Sequence, residues 1–160
     1  MGSVGREIER KFLVVSDAWR TAVAGVLLRQ GYLCLDPDRT VRVRVAGGEG
    51  FLTIKGRGAG CTRPEFEYAI PLADAEELLG LCQLPPVEKT RFEVIHAGRV
   101  WQVDEFHGAN RGLVVAEVEL ESADDEVERP AWAGEEVTSD RRYLNSSLAV
   151  RPFVRWDGAR

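Results

Sequence analysis

Between Val41 and Val45 the chain alternates without a fault, Val-Arg-Val-Arg-Val, and the same period of two returns in segment after segment. Successive side chains on a β-strand leave by opposite faces, so the pattern demands strands with one apolar face and one charged face. It recurs from Glu7 to about Val15, loosely from Leu27 to Leu35, in Phe51–Lys55 and in Glu65–Ile70. It returns in Glu88–Ile95, Val100–Phe106 and Leu113–Glu121. Turn residues separate the segments: Asp36-Pro37-Asp38, Gly47-Gly48-Glu49-Gly50, Gly56 to Gly60, Ala97-Gly98 and the loop from His107 to Gly112. About eight strands in close succession predict an antiparallel meander or barrel.

Helices are few. Ser16 and Asp17 cap one or two predicted turns over Ala18–Val26, and Ala75, Leu78, Leu79 and Cys82 share one face of an amphipathic helix over Ala73–Cys82. A short helix is expected over Ala123–Glu128, irregular chain over Pro130–Glu136, and a final helix from about Asp140 to Ala149, capped by Thr138 or Ser139 and stopped near Pro152. With no repeat and no long linker, residues 1–160 suit a single α+β domain whose helices pack outside the sheet.

The charged faces carry the functional content. Glu7, Glu9 and Lys11 align, as do Arg42 and Arg44, Thr53 and Lys55, and Glu65 and Glu67. So do Lys89, Arg91 and Glu93, then Gln102 and Asp104, then Glu117, Glu119 and Glu121. Taken singly, each strand reads as a sheet with one wet face. As a set they segregate: acids dominate the first, fifth and last strands, bases the third and fourth. Helices must also bury their apolar stripes on the apolar strand faces, which turns the charged faces into a closed barrel. Eight strands leave room for side chains or one small ligand, and charges lining such a space must be paired, solvated or ion-bound. Carboxylates suit Mg²⁺ or Mn²⁺, while Arg and Lys clamp phosphates, so the expected guest is a metal-bound polyphosphate.

The stretch Glu7-x-Glu9-x-Lys11 resembles the ExExK signature of the CYTH superfamily, the triphosphate tunnel metalloenzymes. These include inorganic triphosphatases, thiamine triphosphatases, certain RNA triphosphatases and class IV adenylyl cyclases. The similarity continues through Leu28–Leu33, Val41–Val45, Leu52–Gly56, Glu65–Ile70, Glu88–Arg91, Val103-Asp104, Ala116–Leu120 and Gly134–Asn145, in the order of the short bacterial tripolyphosphatases. The resemblance implies an eight-stranded closed antiparallel tunnel. It implies Glu7, Glu9, Glu117 and Glu119 as metal-binding carboxylates, with Asp104 supporting the metal site. Lys11, Arg42, Arg44, Lys55, Lys89 and Arg91 would grip the triphosphate, as would Arg141, where the family often has Lys. Glu65 and Glu67 would serve a second metal or its water. Lys89 and Lys55 are the candidate general bases; the alternative is that both only contact phosphate.

The expected activity is metal-dependent hydrolysis of tripolyphosphate, against a cyclase, a nucleoside or thiamine triphosphatase, or a non-catalytic polyphosphate-binding module. A net charge of −5 argues against nucleic acid as partner. Cys34, Cys61 and Cys82 show neither a disulfide framework nor a zinc spacing, which fits a reducing cytoplasm. No apolar run approaches the ~20 residues needed to span a bilayer, and no leader is expected at the start. A monomer and a homodimer are both compatible with the pattern.

Overall fold

The computed structural model describes residues 5–20 and 23–158. Among the described residues nine strands form one sheet: β1 (Arg6–Val14), β2 (Val26–Cys34), β3 (Arg39–Ala46), β4 (Glu49–Gly56), β5 (Thr62–Ile70), β6 (Val87–His96), β7 (Arg99–Phe106), β8 (Val114–Glu119) and β9 (Ala133–Glu136). Every pairing is antiparallel, and the order is β5-β4-β3-β2-β6-β7-β8-β1-β9 with β5 returning to β1. Strands β1 to β8 therefore close a barrel, and β9 lies outside it on β1.

Closure depends on β1 dividing its length. Arg6–Ile8 pair with Thr62–Pro64 of β5, whereas Glu9–Leu13 pair with Val115–Glu119 of β8. The order is not a simple meander, because β2 joins β6 through Val26–Gln30 and Val87–Arg91. The β6–β7 hairpin turns at Ala97 and Gly98, both with positive φ, as a two-residue turn compatible with strand twist requires.

The apolar faces point outward and are covered in patches. Phe12, Trp101, Val103, Ala116, Val118 and Leu120 pack with Trp19, Trp132 and Ala133. Val43 and Val45 pack against Ala75 and Leu79 of α1 (Leu72–Leu81). That helix can lie close to β2 because Gly31 has no side chain; a Cβ there would stand 2.6 Å from the Cys82 sulfur. A third cluster, around Val87, Phe106, Leu113 and Val115, is covered by Leu148 of α2 (Asn145–Val150).

Four local expectations are corrected. The described residues of Ala18–Val26 form a turn and irregular chain, with β2 starting at Val26 and residues 21–22 outside the described range. Gly25 permits a close approach to β6: a Cβ there would meet the Thr90 methyl at 2.4 Å. No helix forms over Ala123–Glu128, where the Asp125 carboxylate accepts from the backbone N–H of Glu121 and Ser122, binding that competes with helical bonding. Within Pro130–Glu136 the chain adds β9. The final helix is divided: Asp140 caps a 3-10 turn at Arg141–Tyr143, Leu144 is extended, and α2 begins at Asn145. No helix among the described residues is long and apolar enough to cross a membrane.

Candidate active site

The barrel encloses a cavity of about 870 Å³ whose wall is made by the charged strand faces. Glu7, Glu9 and Lys11 reach it from β1, Arg42 and Arg44 from β3, Lys55 from β4, Glu65 and Glu67 from β5, Lys89 and Arg91 from β6, and Glu117 and Glu119 from β8. Of the fourteen residues to which the sequence gives site roles, these twelve meet in one space. Period-two register is the reason, since antiparallel pairing sets Lys11 opposite Glu117, Glu9 opposite Glu119, and Lys55 opposite Glu65.

Asp104 and Arg141 are placed differently. Asp104 is fully buried behind the wall, its two oxygens accepting from Arg91 Nε and Nη2 at 2.8 Å each, with Lys89 Nζ also 2.8 Å away. It holds two cations of the wall. Arg141 is exposed and lines an adjoining cavity of about 620 Å³, which shares Thr40, Arg63, Leu144 and Ser146 with the tunnel. Glu93 has the right parity but is exposed and outside the lining.

Tyr32, Thr40, Gln102, Leu144, Asn145 and Ser146 add neutral lining and Arg63 a further cation, while Arg99, Glu121 and Asp125 extend the charged lining. Arg63 follows the parity of Glu65 and Glu67, so extending that alternation one step would have found it. Asn145 and Ser146 lie on α2, beyond the reach of any strand pattern. Gln30 is a buried neutral link. Its Oε1 accepts from Arg44 Nε at 3.1 Å, and its Nε2 donates to Asn145 Oδ1 at 3.2 Å.

Acids and bases satisfy one another within the tunnel. Lys55 Nζ lies 2.8 Å from Glu7 and 3.1 Å from Glu65; Lys11 Nζ is 3.4 Å from Glu117 and donates to the Tyr143 carbonyl at 3.1 Å. Arg42 donates to Thr53 at 3.0 Å, and Thr53 donates to Glu67 at 2.8 Å. Burial opposes the charge of Glu117, but Lys11 and Arg91 outweigh it and hold its pKa well below the usual range. Glu7 is likewise burdened by burial, yet Lys55 pulls it down. Glu9 goes the other way. Burial, then the Glu117 and Glu7 charges, push it well above the usual value, and its carboxylate makes no hydrogen bond or close ion pair among the described residues.

The two candidate bases also part company. Burial penalises the Lys55 ammonium, but Glu7, Glu9 and Glu65 outweigh that and raise its pKa. Lys89 is pulled down to about 7 by burial, with Asp104 opposing and Arg91 and Arg44 adding repulsion. Asp104 remains anionic despite its burial because Lys89 and Arg91 surround it. Among these crowded cations, lysine is the one able to release a proton.

The donor chemistry fits two guests. Arg42 Nε and Arg63 Nε are shielded at the wall without an acceptor, as donors awaiting phosphate oxygens would be. For a cation, the carboxylates of Glu7, Glu9, Glu117 and Glu119 are oxygen donors suited to Mg²⁺ or Mn²⁺, and Glu9 stands beside two other acids without a close cationic partner among the described residues. No three acidic, His or Cys side chains among the described residues are already assembled to hold an ion. Lys55 stands against Glu7 and Lys11 against Glu117, so a cation at those carboxylates would compete with both ammonium groups.

Residues 5–151 match the CYTH domain. An inorganic triphosphatase of Acetivibrio thermocellus is 48% identical over 151 residues, spanning 94% of this chain and 97% of that protein. One from Nitrosomonas europaea is 41% identical over 150 residues, with 90% and 97% covered. The crystal structure of the inorganic triphosphatase NE1496 superposes with a TM-score of 0.67 at 38% identity, covering 90% of this chain and 94% of that one. With a family match over most of its length and relatives this similar end to end, the chain belongs to the CYTH family.

Proposed function

We propose that this protein hydrolyses inorganic tripolyphosphate to pyrophosphate and orthophosphate with the help of Mg²⁺ or Mn²⁺. The observation that carries the reading is the closed tunnel, in which opposed acids and bases surround a space of about 870 Å³. The inorganic triphosphatases of A. thermocellus and N. europaea, similar along nearly their whole length, support the same chemistry.

Phosphoryl transfer needs charge neutralisation and an aligned nucleophile more than covalent catalysis. Arg42, Arg44 and Arg91 bind and neutralise the phosphates, joined by Lys11 and Lys55 once these leave their carboxylates. Glu7, Glu9, Glu117 and Glu119 would hold the divalent ion, which supplies Lewis acidity at the phosphate oxygens. Glu65 and Glu67 line the same wall and orient water. The neutral Lys89 amine takes the proton from the attacking water. The water oxygen bonds to the terminal phosphorus, the bridging P–O bond breaks, and pyrophosphate leaves with that electron pair. Lys55 stays an ammonium and serves as an electrostatic clamp once it has exchanged Glu7 and Glu65 for phosphate. The three cysteines are free and partly buried, which suits a reducing cytoplasm.

The adjoining cavity favours a second reading, a triphosphate with an organic tail, because its apolar walls include Leu35, Pro37, Val150 and Trp156. A phosphate-release screen over tripolyphosphate, thiamine triphosphate, ATP and pyrophosphate with Mg²⁺ or Mn²⁺ decides between them. Fastest release from tripolyphosphate is expected. Release only from tailed substrates, a cyclic product from ATP, or binding without turnover would each replace the proposal.

A further inference from the structure

Lys89 ends in a site built by two acceptors. Its Nζ lies 2.8 Å from Asp104 Oδ2 and donates to Asn145 Oδ1 at 2.9 Å, and the side chain is only 1% exposed. A neutral amine has two N–H bonds and one lone pair around nitrogen. Asp104, as a carboxylate, and Asn145, through its amide oxygen, can only accept at these positions. They therefore take both N–H bonds and leave the lone pair in the one remaining direction, on a side chain that lines the tunnel.

The orientation of the Asn145 amide follows from its neighbours. Lys89 Nζ and Gln30 Nε2, at 2.9 and 3.2 Å from the same Oδ1, are both donors. The Gln30 amide is oriented in turn by Arg44, whose Nε can only donate and lies 3.1 Å from Gln30 Oε1. The chain Arg44 to Gln30 to Asn145 to Lys89 thus has one consistent polarity. Its outer end is anchored as well: Leu148 is buried in the core three residues on, and the Tyr143 carbonyl accepts from Lys11.

We propose that Asn145 is a positioning residue for the hydrolysis: with Asp104 it fixes both N–H bonds of Lys89 and so aims the amine at the water. This rests on the assignment of Lys89 as base under the function proposed above. Asn145 acts through Lys89, and Gln30 holds Asn145 in register with the phosphate-binding Arg44.

The test is a double-mutant cycle on tripolyphosphate hydrolysis with wild type, Asn145→Leu, Lys89→Ala and the double variant. Asn145→Leu is expected to lower kcat about 10- to 100-fold with KM changed by less than about threefold, the signature of a misaimed group rather than a lost substrate contact. Added to Lys89→Ala it should change kcat by less than about twofold, because the residue through which it acts is gone. Asn145→Asp, which keeps an oxygen acceptor, should recover at least about tenfold over Asn145→Leu at a pH high enough to offset its added charge. Independent effects in the cycle, or a loss confined to KM, would overturn the inference. Crystal structures of wild type and Asn145→Leu give a readout that needs no turnover: Lys89 Nζ is expected to leave its place only in the variant. An unmoved Lys89 overturns the positioning role, whereas an inactive wild type with a displaced Lys89 in the variant overturns only the proposed hydrolysis.

Discussion

Replacing Glu9 by Gln should make the metal-free protein more stable while removing its response to metal. The fold strongly resists the charge of Glu9: it is buried, stands near Glu117 and Glu7, and is only partly compensated by Lys55 and Lys11. Gln keeps the shape and removes the repulsion. Because its amide also finds no ready partner, the net gain should be modest, about 1–2 kcal/mol. For a chain of this size that is a rise in Tm of roughly 2–8 °C. The pH dependence has a definite sign. A carboxyl whose folded pKa lies above its unfolded value contributes stability that is present below the unfolded pKa and lost as pH rises through the folded one. Wild type bears that loss and the variant does not, so their Tm values should coincide near pH 4 and diverge as pH rises. The assay is a thermal melt in chelator across pH 4 to about 9, repeated with Mg²⁺ at neutral pH. Mg²⁺ should raise Tm for wild type and not for Glu9→Gln. A variant less stable than wild type at pH 8 in chelator, or a difference independent of pH, would show that the Glu9 charge is not a burden on the fold.

Three other perturbations follow from the same geometry. Asp104→Asn leaves the buried Lys89 and Arg91 without their carboxylate and should cost about 3 kcal/mol, a fall in Tm of roughly 6–12 °C by calorimetry. In the kcat/KM profile, which reports the free enzyme, activity should rise with pH through about 7 as Lys89 loses its proton; Lys55→Arg should retain that limb and Lys89→Arg should abolish it. Gly31→Ala forces a Cβ to within 2.6 Å of the Cys82 sulfur and should lower stability by about 1–3 kcal/mol in denaturant titration, with Cys82→Ala recovering part of the loss.

What the sequence shows and what it hides divide along physical lines. Val41–Val45 reveals its faces because alternation is local: each residue's side is decided by its neighbours, and Arg42 and Arg44 do enter the tunnel. The order of strands is not local. Nothing in Val26–Gln30 announces that it pairs with Val87–Arg91, or that β1 changes partner at Glu9. The apolar run near Trp19 suggested a helix, yet Trp19 is buried against Phe92 from an irregular segment, tertiary packing overriding local propensity. Asp104 shows the same limit for the site. Its parity matches Gln102, but its depth, which makes it a partner of cations instead of part of the cavity wall, comes from the barrel as a whole. Asn145, in the wall, and Gln30, buried behind it, carry no charge and so left no mark on the charge pattern that revealed the twelve charged site residues.

The most direct measurement of the central claim is ³¹P NMR of tripolyphosphate incubated with the protein, once with Mg²⁺ and once with chelator. With Mg²⁺ the tripolyphosphate signals are expected to give way to pyrophosphate and orthophosphate in equal amounts, and with chelator to persist. Signals that only broaden or shift in both samples, with no products, would contradict that claim and leave a tunnel that binds polyphosphate without cleaving it.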